Sequence, residues 1–255
     1  MQHSPYIRYA ASQELDQLVV SYIRSMNAPN PRPDHATLLA IMERFVDESV
    51  DLFVTKAAVQ VQLKSSYLKM IESLASLTQR SAMFLVKKVA GKMSLNDHRN
   101  AAEYMKQVRL VQEQDGQQVA FISFPIHATF AEKGVLTRDR MLAGKAREPE
   151  VLQDGIDFLH AVIDVANLWI FEKPVEILNL GTIMRSLATT TVGTVKKATH
   201  SLIDTLVPKI SEHQTTAAAE YFSDIVGAGP FNAEYGHIPA QLLRQQDVSV
   251  APVYA

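Results

Sequence analysis

The chain has 255 residues, 47% of them hydrophobic, and a formal net charge of −2: enough apolar material for a sizeable core, and no overall electrostatic commitment to nucleic acid or to an anionic membrane. It contains no cysteine, which excludes disulfides, thiolate nucleophiles, iron–sulfur clusters and every cysteine-bearing zinc site. No basic segment leads into an apolar run at the start, so no secretory signal is expected and the cytoplasm is the expected compartment.

A first helix is expected from about Ser12 to Met26, where Leu15, Leu18, Val19, Tyr22, Ile23 and Met26 form one apolar stripe. Three prolines between Asn27 and Pro33 end it, and Asp34 stands where an N-cap would accept the free amide hydrogens of the next helix. From Asp34 to Ala90 there is neither glycine nor proline. Unbroken, that run would make a helix about 85 Å long, against a diameter of roughly 46 Å for a compact chain of this size, so a break is expected. The apolar period falters near Gln62 to Ser66, where two serines are suited to cap a further helix that ends at Gly91. A protruding antiparallel or dimeric coiled coil is the alternative arrangement.

Ser94-Leu-Asn-Asp97 has the form of a capping box and opens another helix. The strand signal follows: Asp115-Gly116 is a favoured type I′ turn pair, flanked by β-branched and aromatic residues from Val108 to Glu113 and from Val119 to Phe124, which predicts a short hairpin near 108–124. Pro125 to Lys145 reads as loop plus a short helix, and a well-patterned helix should run from Pro149 to Glu172 and stop at Pro174. Its most apolar window, Phe158 to Phe171, is interrupted by His160, Asp164 and Asn167 and is shorter than the roughly 20 residues needed to cross a bilayer. A long helix from Val175 to Val207 is stopped by Pro208, and its run Thr189, Thr190, Thr191 and Thr194 weakens helix propensity and suggests a bend. A last helix spans about Ser211 to Val226, and 227–255, rich in glycine and proline, reads as an extended tail. The fold expected is a mainly α, multi-helix bundle of six to eight helices with one short β-hairpin, as a single domain over 1–226.

Chemistry is searched for on these helices. The Glu-x-x-His pattern of di-iron bundles occurs only as Glu234-Tyr-Gly-His237, in the tail, and adjacent acid–histidine pairs occur as Asp34-His35 and Asp97-His98, which read as cap or surface pairs. No dinucleotide loop, phosphate loop or nucleophile elbow is present. One constellation has metal-ligand spacing: Asp157, His160 and Asp164 on one helix, with His200 and Asp204 on the next, would converge if the two helices pack antiparallel. The same spacing also arises as ordinary helix-surface contacts.

Charge is segregated along the chain. Between Lys64 and Arg109 nine basic residues stand against three acidic ones, a balance of +6, with Lys87, Lys88 and Lys92 as a compact patch; from Glu148 to Glu176 seven acidic residues stand against one basic, a balance of −6. If the two segments lie side by side they neutralise each other; if not, the basic one offers a face to nucleic acid, an acidic protein or lipid headgroups. With no catalytic set assembled and no cofactor implied, the reading is a non-enzymatic cytoplasmic regulatory or adaptor protein working through protein–protein contacts, expected as a homodimer. The alternatives are a metal-dependent helical enzyme at the Asp/His constellation, and a nucleic-acid-binding regulator using the 64–109 segment.

Overall fold

The computed structural model describes residues 4–126, 128–177, 182–222 and 226–229. Its sheet is built on a strand absent from the sequence reading, β1 (Ser4–Ala10). The expected hairpin is formed by β2 (Arg109–Gln114) and β3 (Gln117–Pro125). Its turn residues Asp115 and Gly116 sit at φ of 51° and 76°, the left-handed pair that a type I′ turn requires. β3 pairs with β1, and β1 pairs on its other edge with β4 (Val226–Gly229), giving an antiparallel sheet of order β2-β3-β1-β4. A lone hairpin is marginal in water, and pairing with the N-terminal strand supplies the support it lacks. Alternation along β1 sends Ile7 and Tyr9 into the helical core, while Tyr6 meets Leu110 and Phe121 on the opposite face. Gly227 to Gly229, read from sequence as tail, therefore lie in β4, and 230–255 lie outside the described residues.

Capping chemistry sets most helix starts. Ser12 accepts from the Leu15 amide to open α1 (Gln13–Met26), and Asp34 accepts from the Thr37 amide at 3.0 Å to open α2 (His35–Val50). The Thr37 amide, helped by the Thr37 side chain, also holds the Asp34 carboxyl below its usual range. The glycine-free run breaks where expected. α2 passes through a π-helical stretch, Asp51–Lys56, into the short α3 (Ala57–Gln60), and the chain turns at Gln62, φ 52°, before α4 (Ser65–Ala90). The serines do not cap: Lys64 holds the N-cap position without a side-chain bond, and Ser65 and Ser66 are already helical. The Ser94–Asp97 capping box is formed and opens α5 (Leu95–Val108).

The second half is more continuous than its punctuation implies. α6 (Ala128–Arg140) widens into a π-type turn at Met141 that breaks at Gly144, left-handed at φ 81°, before α7 (Pro149–Asn167), whereas a further π stretch, Leu168–Glu172, leads directly into α8 (Lys173–Ile177). Pro174 was expected to stop the helix and instead lies in the first turn of α8. Proline is excluded from helix interiors because it lacks an N–H and crowds the carbonyl four residues back; a wider turn just before it relieves both conflicts. α9 (Thr182–Leu206) ends in a 3₁₀ turn, Val207–Lys209, that contains Pro208, and a second capping box, Ser211 with Gln214, opens α10 (Glu212–Tyr221). In α9 the hydroxyls of Thr189, Thr190 and Thr194 donate to carbonyls four residues back, which satisfies them within their own helix. The main core joins Ile7 of β1, Tyr22 of α1, Ile41 of α2, Ala102 of α5, Phe124 of β3 and Trp169. α4 packs on α2 and α9, and α7 packs on α6 and α9.

Candidate functional site

α7 and α9 do run side by side, and they bring four of the five spaced residues together. His160 and His200 stack with ring centroids 4.1 Å apart and planes 8° from parallel. His160 Nε2 lies 3.0 Å from Asp204 Oδ1, and His200 Nε2 lies 3.0 Å from Asp164 Oδ1; both are close electrostatic contacts, because the ring N–H directions do not line up as hydrogen bonds. Lys196 Nζ approaches the same Asp164 oxygen at 2.8 Å. Asp157 is left out of this group and accepts from Gln153. Burial pushes the His200 pKa down, opposed by Asp164 and reinforced by His160 and Lys196. The two imidazoles thus face two different carboxylates, and among the described residues no three acid or histidine side chains gather where a metal ion would sit. The seam reads as a polar clasp between helices.

One residue further round each helix, the surface turns apolar and borders a partly open cavity of about 250 Å³. Leu159, Val162 and Ile163 of α7 and Leu202, Ile203 and Leu206 of α9 line it, together with Ala58 of α3 and Ala218 of α10. Thr137 and Arg138 of α6 are among its few polar neighbours. A second cavity, about 150 Å³, lies between Phe45 of α2, Leu85 and Val89 of α4, Met105 of α5 and Trp169, with almost no polar wall. The π stretches are all at these walls: Phe53, Val54 and Met141 border the larger cavity, and Trp169, Ile170 and Phe171 border the smaller. A π turn displaces the helix face beyond it, which opens space that regular packing fills, and such turns are frequent at functional sites. Glycines shape the larger cavity as well, since a Cβ on Gly134 would stand 2.2 Å from the Phe158 ring and one on Gly155 would stand 2.3 Å from the Met141 methyl.

A buried polar line was missed in the sequence. His98, read there with Asp97 as a cap or surface pair, is fully buried: Asp97 does serve the capping box, while His98 turns inward. Its Nδ1 lies 2.6 Å from the Tyr22 hydroxyl, and its Nε2 lies 3.1 Å from Nδ1 of the exposed His35. A Tyr22 hydroxyl donating to Nδ1 and a His98 Nε2–H donating to His35 satisfies all three groups. Burial pushes His98 down and Tyr22 up, which keeps both neutral. Neither cavity is bordered by Tyr22 or His98.

No ion pair among the described residues joins the two charged segments. Glu148, Glu150 and Asp154 surround Arg140, Asp164 meets Lys196, and Glu176 meets Lys173, while Lys87, Lys88 and Lys92 at the end of α4 form no ion pair among the described residues. No described helix is long and apolar enough to cross a membrane. Compared with known proteins, the chain matches no family model, no curated protein and no solved structure. The α7–α9 seam was legible from spacing alone; the cavities were not, because no residue pattern marks a π turn, and the isolated Gly134 and Gly155 inside helices were their only trace.

Proposed function

We propose that this protein is a non-enzymatic regulatory or adaptor protein that holds a small apolar ligand in the cavity between α7 and α9 and responds to it through contacts with a protein partner. The observation that carries this reading is the coincidence of π turns with cavity walls: the helices widen where the apolar space is, and the interior has more room than packing of these side chains requires. Occupancy of the larger cavity changes the spacing of α7, α9 and α10, so a ligand has a direct mechanical route to the outer helix faces. A metal-dependent enzyme at the seam has less support, since each imidazole already faces a carboxylate of its own.

The test is saturable binding of the fluorescent probe 1-anilinonaphthalene-8-sulfonate or of a medium-chain fatty acid, with mass spectrometry of the organic extract of purified protein. Filling the space with Ala58→Phe or Val162→Phe should abolish binding while the circular dichroism spectrum is kept. Absence of saturable binding, or binding indifferent to both substitutions, would refute the reading.

A further inference from the structure

α4 leaves one face to solvent, and that face is at once apolar and basic. Met70, Leu77 and Phe84 are 44%, 40% and 48% exposed, and they recur every seven residues, about 10 Å apart along the axis. Lys69, Arg80, Lys87 and Lys88 lie on the same side, so that at 3.6 residues per turn all seven fall within a band of roughly 100°. The buried residues Ile71, Leu74, Ala82 and Leu85 occupy the other side, where α2 and α9 pack. From Lys64 to Lys92 six cations stand against a single acid, Glu72, a balance of +5. None of the six is in an ion pair among the described residues; the Lys88 ammonium lies 5.7 Å from the centroid of the Phe84 ring.

We propose that this face of α4 docks on an anionic phospholipid surface, with Met70, Leu77 and Phe84 entering the headgroup region and Lys69, Arg80, Lys87 and Lys88 meeting lipid phosphates. Charge complementarity selects the partner. A second copy of the same face brings cations against cations. A nucleic-acid backbone accepts the cations but gains nothing from three large apolar side chains at one-heptad intervals. A lipid headgroup layer takes both, and a helix lying in the interface with an apolar ridge and flanking lysines is the arrangement that does so. Each cation held at such a surface strengthens partitioning about fivefold. The inference concerns the outer face of α4 and is independent of the ligand proposed for the α7–α9 cavity.

The test is flotation of the full chain with vesicles of phosphatidylcholine alone and of an equal mixture of phosphatidylcholine and phosphatidylglycerol, at low and high salt. The protein should float with the mixed vesicles at low salt and with neither at high salt. Combining Lys69→Glu, Arg80→Glu and Lys87→Glu should weaken this more than about 100-fold, and Leu77→Ser with Phe84→Ser should weaken it while leaving the remaining binding salt-sensitive. All five positions are exposed, so thermal unfolding and binding at the cavity should be unchanged; should the reversals unfold the chain, Lys87→Gln with Lys88→Gln gives the same reading on a smaller scale. Failure to float with the mixed vesicles, flotation equal on both vesicle types, or flotation indifferent to the substitutions overturns the proposal. Salt-dependent retention on DNA or RNA, lost in the triple reversal and without flotation, overturns it in favour of a nucleic-acid partner.

Discussion

Three helical glycines differ only in what a methyl group would meet, so replacing each with alanine separates backbone propensity from packing. In a helix interior alanine is favoured over glycine by about 0.8–1.0 kcal/mol. At Gly193 in α9 nothing lies within 4 Å of the added Cβ, so Gly193→Ala should gain close to that whole amount, or about 2–4 °C in Tm for a chain of this size. At Gly155 the Cβ would stand 2.3 Å from the Met141 methyl, the end of a flexible side chain that borders the larger cavity and has space to swing into, so Gly155→Ala should be near neutral. At Gly134 it would stand 2.2 Å and 2.8 Å from two carbons of the Phe158 ring. That ring is stacked on Phe130, centroids 5.1 Å apart and 14° from parallel, and cannot yield at one end alone. Overpacking of this kind costs about 1–3 kcal/mol, more than the propensity gain, so Gly134→Ala should lose up to about 2 kcal/mol. Adding Phe158→Leu should recover part of that loss. The assay is urea and thermal unfolding of the single variants and of the double variant in one buffer. Equal stabilisation by Gly134→Ala and Gly193→Ala would show that α6 does not approach Phe158 as described.

Stability should fall as pH drops below about 6.5. Burial holds His98 and His200 below their ordinary value in the folded protein, so the unfolded chain binds more protons in that window, and stability present above 6.5 is lost as pH falls through the folded-state values. Around His98 the neighbour His35 acts in the same direction while Asp34 and Asp97 oppose it, and His98→Gln should flatten the pH dependence of the unfolding midpoint; an unchanged slope would contradict the burial argument. Asp34→Ala removes the acceptor that opens α2 and should cost about 1 kcal/mol, whereas Asp34→Ser should recover most of it; equal losses in the two variants would show that capping is not the cause. Asp164→Asn strips the anion from both Lys196 and His200 at a position only 11% exposed and should cost about 1–2 kcal/mol, while Asp204→Asn, 56% exposed, should cost less than about 1 kcal/mol, both read by urea unfolding; the reverse order would move the anchor of the seam to Asp204.

What was legible in the sequence follows from which interactions are local. The helix openings at Ser12, Asp34, Ser94 and Ser211 are each decided within four residues, and the Asp115-Gly116 turn within two, so short-range chemistry placed them correctly. The α7–α9 seam was readable too, because i, i+4 spacing fixes which side chains share a face and antiparallel packing then pairs His160 with Asp204 and His200 with Asp164. β1 was not readable. Its pairing with β3 joins residues more than a hundred positions apart, and Ser4 to Ala10 alternates too little on its own to announce a strand. His98 was misread for a related reason: its neighbour Asp97 satisfies a local cap, while the Tyr22 hydroxyl that holds the imidazole comes from another helix.

The failed stop at Pro174 and the unforeseen smaller cavity have one physical origin. A proline demands that the backbone before it give up a regular hydrogen bond, and the sequence reading took that demand to be met by ending the helix. The chain meets it instead by widening Leu168–Glu172 into a π turn, which keeps the axis running into α8. Widening changes the angle between successive side chains, so Trp169, Ile170 and Phe171, which a regular helix would spread over more than half its circumference, all border the same apolar space together with Pro174 and Val175. The cost is visible at Trp169, whose indole N–H is buried without a hydrogen-bond partner among the described residues, although its carbonyl accepts from the Tyr104 hydroxyl. A buried N–H left unpaired costs about 1–3 kcal/mol. Helix continuity, room for a guest and an unmet donor therefore belong to a single local choice at the end of α7.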